Sequence, residues 1–270
     1  MYWYRTARAE AQAVFTDREL GNLALHVPDD AQDVLRRRRG LEQDLGLEAG
    51  AVLYLEQVHG THVVDADAVA PGATPVGDAA VSAHGRPLAV MVADCVPIVL
   101  TGRTAPETRP AGLAVTAVAH AGRRGLLDGV LPAVVSALRD RGAVSISALI
   151  GPSVCGRCYE VPEEMAAESE RLLPGIRTQT RWSTPGLDLP GAAHRMLREL
   201  GVQVELIESG PPPAGLDAAA TGSSSDAGEA PGGSSRCTLE NPGLFSHRRD
   251  PGSGRIAGVI VATAPGAAGL

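Results

Sequence analysis

Aromatic side chains are scarce in this chain: two Phe, two Trp and four Tyr make up 3% of 270 residues. Hydrophobic residues still account for 44%, so the core must be aliphatic, and the length is ample for a self-sufficient one. Concentrated positive charge is also missing. The 24 basic residues face 31 acidic ones, a formal net charge of -7, which argues against broad phosphate-backbone binding and a nucleic-acid partner. The one dense basic run, Arg36 to Arg39, has helical surroundings and reads as a solvated helix face. Long apolar runs are absent too. The longest, LAVMVADCVPIVL (88–100), is interrupted by Asp94 and is too short to span a bilayer, so no membrane association is expected. The first residues, MYWYRTARAEAQAVF, lack an apolar stretch followed by a small-residue cleavage site, and the expected location is the cytoplasm. The four cysteines are then expected as thiols or metal ligands rather than disulfides.

What is present alternates between helical and strand patterns. A loop, GNLALHVPDD, leads into a helix over AQDVLRRRRGLEQDLG, with Asp29 or Asp30 placed to cap it. AVLYLEQVHG (51–60), PLAVMVADCVPIVLTG (87–102) and GLAVTAVAHAG (112–122) are short apolar runs bounded by Gly or Pro and read as buried strands. LLDGVLPAVVSALRDRG has helical spacing and stops at Gly142. SISALIGPS is a further strand. VPEEMAAESERLL is a helix with an acidic first turn suited to the helix dipole. LDLPGAAHRMLRELG is another helix, and VQVELIES and GRIAGVIVATAP are strands. The segment from Gly210 to Arg236 is almost wholly Gly, Pro, Ala, Ser and Asp, and is expected to be a disordered loop. No repeat is evident, and the mixture indicates an α/β or α+β architecture.

Three polar residues stand at the ends of, or inside, the predicted core strands: His59, Cys95 and His120. A thiolate and two imidazoles suit zinc and leave a fourth tetrahedral position for water or substrate. A lone strand histidine is more often a structural hydrogen-bonding residue and a lone buried cysteine usually a small hydrophobe, but three such residues at strand-to-turn junctions leave both readings open. Asp94 adjoins Cys95, but strand alternation turns it to the opposite face unless the backbone bends there.

The strings QVHG (57–60), ADCVP (93–97), HAGRRG (120–125), IGPSVCGRCYEV (150–161) and CTLENPGLFSHRRDPGSGR (237–255) resemble the ordered motifs of the YfiH family. That family is also called the laccase-domain or polyphenol-oxidase-like family. FTDRELGNLALHVPDD (15–30) resembles its N-terminal motif, so the resemblance runs from about Phe15 to Ala262. It implies an α/β fold of the α+β type: one domain over 1–270, with mixed β-sheets flanked by helices. It further implies zinc at His59, Cys95 and His120, with copper as a substitute. The chemistry implied is phosphorolysis of adenosine, inosine, guanosine and methylthioadenosine, plus deamination of adenosine, with Asp94 a candidate catalytic neighbour. Purine nucleosides and phosphate are then the expected partners. Two departures stand out: Arg123 occupies the place of the family's Trp in HAGWRG, and the low-complexity segment before Cys237 is long.

Phosphorolysis needs an anion pocket beside the ribose and stabilisation of a cationic transition state. Arg124 and Arg248 are the candidate phosphate ligands, because the planar guanidinium donates two hydrogen bonds, with a surface salt bridge as the alternative for each. Asn22 is a candidate for sugar or base, or else fixes a turn. Cys155 and Cys158 form a C-x-x-C with no second pair and no thioredoxin-like context, so a structural role is expected. Cys237 is expected to pack at a strand start. His62, His84, His194 and His247 lack a paired motif, though His247 neighbours the Arg248–Arg249 pair. Three other functions compete. A multicopper oxidase would place two of the seven histidines at a His2Cys copper centre, leaving five, too few for the trinuclear cluster it also requires. A metal-free hydrolase of a cell-wall precursor would use Cys95 as nucleophile and His120 as base. A binding protein would capture purines without turnover.

Overall fold

Two stacked β-sheets carry the architecture of this chain. The computed structural model describes residues 1–8, 10–105, 114–207 and 236–263. In chain order these form β1 (Tyr2–Ala7), β2 (Ala11–Thr16), α1 (Ala31–Asp44), β3 (Val63–Asp65), β4 (Ala79–Ser82), β5 (Leu88–Val92), β6 (Val96–Thr104) and β7 (Val115–Ala121). After them come α2 (Arg123–Asp128), α3 (Val130–Asp140), β8 (Ala143–Ile150), α4 (Glu163–Leu172), β9 (Arg177–Gln179), β10 (Pro185–Leu187), α5 (Leu189–Glu199), β11 (Gln203–Leu206) and β12 (Ile256–Ala262). One sheet has the order β1-β2-β12-β5 and is antiparallel throughout. The other, β11-β8-β6-β7-β4-β3, is mixed, with parallel pairs at its two edges. β9 and β10 make a separate hairpin.

Alternation along the strands sorts the apolar residues into three layers. Ala13 and Phe15, Val90 and Val92, and Ile256 and Ile260 face Val99, Val118 and Leu149 across the space between the sheets. Val14, Ala89, Met91, Ala257 and Val259 face outward onto Leu41 and Leu45 at the end of α1. Val96, Ile98 and Leu100, with Val115, Ala117 and Ala119, lie under α2–α5. Both faces of the central strands are therefore covered, which is why they read as continuous apolar runs. Each fully buried Val, Leu or Ile contributes roughly 1.5–3 kcal/mol of transfer free energy. Phe15 fills the space between the sheets only because Gly151 and Gly258 lack side chains: a Cβ there would lie 2.3 and 2.9 Å from its ring.

The helix at 31–44 is capped by Asp30, whose side chain accepts from the N–H groups of Gln32 and Asp33. Its arginine run is not simply a solvated face. Arg37 donates to the Asn22 carbonyl and to Asp29, and Arg38 donates to the Leu23 carbonyl and stacks 3.8 Å above the Tyr54 ring. The helix expected over 126–142 is two helices, because Gly129 adopts φ +100 between α2 and α3. The expected strand over 51–60 forms only isolated bridges at Leu53 and Glu56, since the N–H groups of residues 58–60 go to a side chain instead of a ladder. The run over 87–102 is also divided: β5 and β6 belong to different sheets. The low-complexity segment, apart from Arg236, lies outside the described residues. Among the described residues, no helix is long and apolar enough to cross a membrane.

Candidate functional site

The break between β5 and β6 builds the site. Asp94 has φ +90, so the strand alternation expected at Asp94–Cys95 is replaced by a bend that brings both residues to one cavity. Cys95 then starts the crossing to the second sheet. His120, two residues along β7 from Val118 and therefore on the same face, points between the sheets. His59 arrives on the irregular 51–60 segment with φ +60. Of the three, only His120 sits in a strand as expected. Their ligand atoms all lie within 4.8 Å of one another. The His59 and His120 rings meet edge to face at 4.8 Å between centroids, and His59 Nε2 is 3.7 Å from Cys95 Sγ.

Asp78, unforeseen in the sequence, holds this triad together. It is fully buried, and its Oδ1 accepts from His120 Nδ1 at 2.8 Å and from the His59 N–H at 2.9 Å. Its Oδ2 accepts from the N–H groups of Val58 and Gly60 at 3.2 and 2.6 Å. Burial opposes its ionisation, but the bond to His120 and those backbone donors outweigh it and hold the carboxyl below its usual range. The contact with Nδ1 fixes the His120 tautomer and leaves Nε2 for the cavity. Burial also opposes ionisation of Cys95, yet the His120 charge and the hydrogen bonds from both histidines bring its thiol down to about 6. His120 in turn is raised to about 9, against burial, by Cys95 and Asp78.

The donor set fits a tetrahedral metal. Bond lengths of about 2.3 Å to sulfur and 2.05 Å to nitrogen place those two atoms about 3.6 Å apart, close to the observed 3.7 Å. The Asp78–His120 pair supplies the outer carboxylate that metal-bound imidazoles ordinarily have.

The cavity around the triad measures about 550 Å³ and opens between the sheet seam and the 247–255 loop. That volume suits a small organic ligand. Arg248, Arg255, His26, His247, Tyr159 and Gln57 line it with the triad. The Arg248 guanidinium lies 4.2 Å from the centre of the Tyr159 ring. Arg255 is half-buried and donates to the carbonyls of Ser253 and Gly254. Gln57 grips the Met91 backbone through both ends of its amide. Burial, reinforced by Arg255 and Arg38, keeps His26 below its usual pKa. A chain of net charge -7 thus gathers two arginines and two further histidines around the triad.

The remaining sequence candidates divide. Arg248 is at the cavity. Arg124 is not: α2 starts at Arg123, so Arg124 projects into solvent and pairs with Asp128 four residues on. Arg123 reaches Ser169 and Glu168 on α4 and does not line the cavity. Asn22 is buried and spends its amide on a turn, donating to the Ala24 carbonyl and Asp29 and accepting from the N–H groups of Ala24 and Arg255. It therefore supports Arg255 and offers no free group to a ligand. Asp94 reaches the cavity, but its carboxylate accepts from Thr238 Oγ1 at 2.6 Å and the Arg248 N–H at 2.8 Å. Arg255 and His26 received no role from the sequence, although both fall within or beside the quoted motifs.

The fold has counterparts among solved structures of YfiH and DUF152 proteins. A Neisseria meningitidis protein of the DUF152 family superposes with a TM-score of 0.73 at 29% identity, over 98% of this chain and 100% of its own. The YfiH protein of Bacillus licheniformis shares the fold, with a TM-score of 0.72 at 24% identity over 94% and 93% of the two chains. The chain belongs to the family described as multi-copper polyphenol oxidoreductase laccase, whose model matches residues 9–263. Two relatives bear the name purine nucleoside phosphorylase. One, from Streptomyces coelicolor, is 38% identical over 243 residues, 88% of this chain and 86% of its own. The other, from Streptomyces griseus, is 38% identical over 273 residues, 95% and 97% of the two chains.

Proposed function

We propose that this chain is a single catalytic domain acting as a zinc-dependent purine nucleoside phosphorylase that also deaminates adenosine. Its substrates are adenosine, inosine, guanosine and S-methyl-5'-thioadenosine with phosphate; its products are the free base and ribose 1-phosphate or the methylthio counterpart. The observation that supports this most directly is the convergence of His59, Cys95 and His120 with Arg248 and Arg255 around one nucleoside-sized cavity. The name purine nucleoside phosphorylase borne by two relatives supports the phosphorolysis part of it. Such an enzyme works in the cytoplasm, where free thiols persist.

His59, Cys95 and His120 would hold the metal. When bound, zinc supplies Lewis acidity toward water or a substrate oxygen, and copper can occupy the same donors. In phosphorolysis a phosphate oxygen attacks C1' of the ribose, the bond from C1' to the base breaks, and its electron pair leaves with the purine. Arg248, steadied on Tyr159, presents a planar cation to the phosphate, and Arg255 adds a second charge. Asp94 acts by positioning, because its bond to the Arg248 N–H sets where that residue begins. His26, held neutral near pH 7, is available to hydrogen-bond the base or sugar.

The test is to incubate zinc-loaded protein with adenosine and phosphate and to follow inosine, adenine, hypoxanthine and ribose 1-phosphate. Turnover no greater than that of Cys95→Ala refutes the reading. A second reading rests on the Asp78–His120–Cys95 alignment, which also matches an orienter, base and thiol nucleophile. Full activity after thorough chelation selects it.

A further inference from the structure

Away from the cavity, Cys155, Cys158, Cys237 and Glu240 bring their ligand atoms within 4.8 Å of one another. The C-x-x-C portion is a tight turn: the N–H groups of Cys158 and Tyr159 both donate to the Cys155 carbonyl at 2.9 Å. The Cys155 N–H donates to Cys237 Sγ at 3.5 Å, so the turn reaches across to a cysteine 82 residues away. Backbone bonds secure that approach, since Ser153 donates to the Arg236 carbonyl and Thr238 donates to the Ser153 carbonyl. The Arg249 guanidinium ties the carbonyls of Thr238, Leu239 and Asn241 into one turn. Four potential donors are thus gathered by backbone that is fixed independently of them.

We propose that Cys155, Cys158, Cys237 and Glu240 form a second, structural zinc site that clamps the 155–159 turn to the 237–241 turn. Three thiolates and a carboxylate fill a tetrahedron with no open position, the mark of a structural rather than catalytic site. Sulfur and oxygen ligands at about 2.3 and 2.0 Å stand about 3.5 Å apart, and Cys158 Sγ lies 3.4 Å from Glu240 Oε1. Loading the site releases three thiol protons to water. The ligands then carry four negative charges against the two positive charges of zinc. Arg181, 2.9 Å from Glu240 Oε1, offsets part of the excess.

The clamp has a purpose at the cavity. Cys158 is followed by Tyr159, the platform under Arg248. Cys237 is followed by Thr238, which donates to Asp94 beside Cys95. One ion therefore fixes both supports of the cavity wall, and it closes a long loop, where a cross-link removes the most chain entropy.

The test counts zinc by native mass spectrometry in protein reconstituted with zinc under reducing conditions. Two ions per wild-type chain are expected, one in Cys95→Ala, and one in the Cys155→Ser/Cys237→Ser double variant. Since that double variant can misfold, Cys95→Ala is also alkylated natively. Its remaining three thiols are expected to resist iodoacetamide with zinc bound and to react after chelation. A single wild-type ion that disappears in Cys95→Ala overturns the proposal, as does the mass loss of a disulfide among the three cysteines in the reduced preparation. Because the count in Cys95→Ala needs no turnover, it stands apart from the nucleoside assay.

Discussion

Asp78→Asn is expected to weaken zinc binding at the triad and to destabilise the metal-free protein together. The buried carboxylate accepts four hydrogen bonds, two on each oxygen. An asparagine keeps one accepting oxygen and turns an NH2 group toward two donors. Two bonds to a charged acceptor are lost, each about 1.5–3 kcal/mol, and unpaired donors remain in a buried place, so the cost is about 3–5 kcal/mol. That corresponds to a fall in Tm on the order of 10 °C. Losing the carboxylate behind a metal-bound imidazole lowers affinity by roughly 10- to 100-fold. Affinity is read by competition with a chromophoric chelator, and stability by thermal melts of the metal-free protein. The pH dependence supplies a separate check. A carboxyl depressed in the folded state stabilises the fold above its unfolded pKa of about 3.9 and loses that contribution as pH falls through its folded value. The gap in Tm between wild type and variant should therefore close below about pH 4, and it should also narrow above neutral pH as His120, raised in part by Asp78, gives up its proton. Zinc affinity within two-fold of wild type, with the melts superimposed, would refute the role assigned to Asp78.

In metal-free protein, alkylation of Cys95 should rise through pH about 6 rather than the roughly 8.5 of an ordinary thiol, and His120→Gln should move that midpoint up. By linkage, the depressed thiol loses its stabilising contribution as pH falls through about 6, and the raised His120 loses its own as pH rises through about 9. Gly122→Ala puts a Cβ 2.6 Å from the His59 ring and 3.2 Å from Cys95 Sγ at an unstrained φ of -75, so zinc affinity should fall at least ~10-fold while the fold loses only about 1–3 kcal/mol. An unchanged zinc titration would contradict it. Arg248→Ala should lower kcat/KM for phosphate by roughly 10- to 150-fold, the loss of one charge-assisted contact, whereas exposed Arg124→Ala should stay within about a factor of two. Equal effects would undo the assignment of the phosphate ligand.

The long elements were legible because their signals are local. Asp30 caps α1, Gly142 ends the helical run before β8, and the 256–262 strand carries an apolar pattern that needs no partner to be recognised. The gathering of His59, Cys95 and His120 was legible through ordered motifs rather than through spacing. Asp78 was not, since an aspartate after Gly77 looks like turn chemistry until the fold places 58–60 and His120 around it. Arg124 and Arg248 were both sequence candidates, with Arg124, in the turn after His120, the stronger of the two, yet it is Arg248 that lines the cavity. Which guanidinium faces the cavity depends on the residue at which α2 begins, and helix boundaries are poorly encoded. The gathering of Cys155 and Cys158 with Cys237 and Glu240 was hidden for a related reason: a C-x-x-C without a second pair says nothing of a partner far along the chain.

Three described non-glycine residues have positive φ, and two of them, His59 and Asp94, belong to the site. Each such conformation costs on the order of 1–3 kcal/mol and persists only where its surroundings over-determine it. Two buried aspartates supply that constraint. Asp78 takes the N–H groups on both sides of His59 as well as its own. Asp94 is anchored by Thr238 and the Arg248 N–H. The strain at Asp94 also has a geometric consequence. A regular strand would carry the chain on within the first sheet and turn Asp94 and Cys95 to opposite faces. The bend instead transfers the chain to the second sheet and aims Cys95 at the two histidines, while Asp94 is left to hold the loop that carries Arg248. The discontinuity that hides the strand boundary in LAVMVADCVPIVL is thus the same one that creates the cavity, so a substitution that straightened it would remove the triad without touching a ligand.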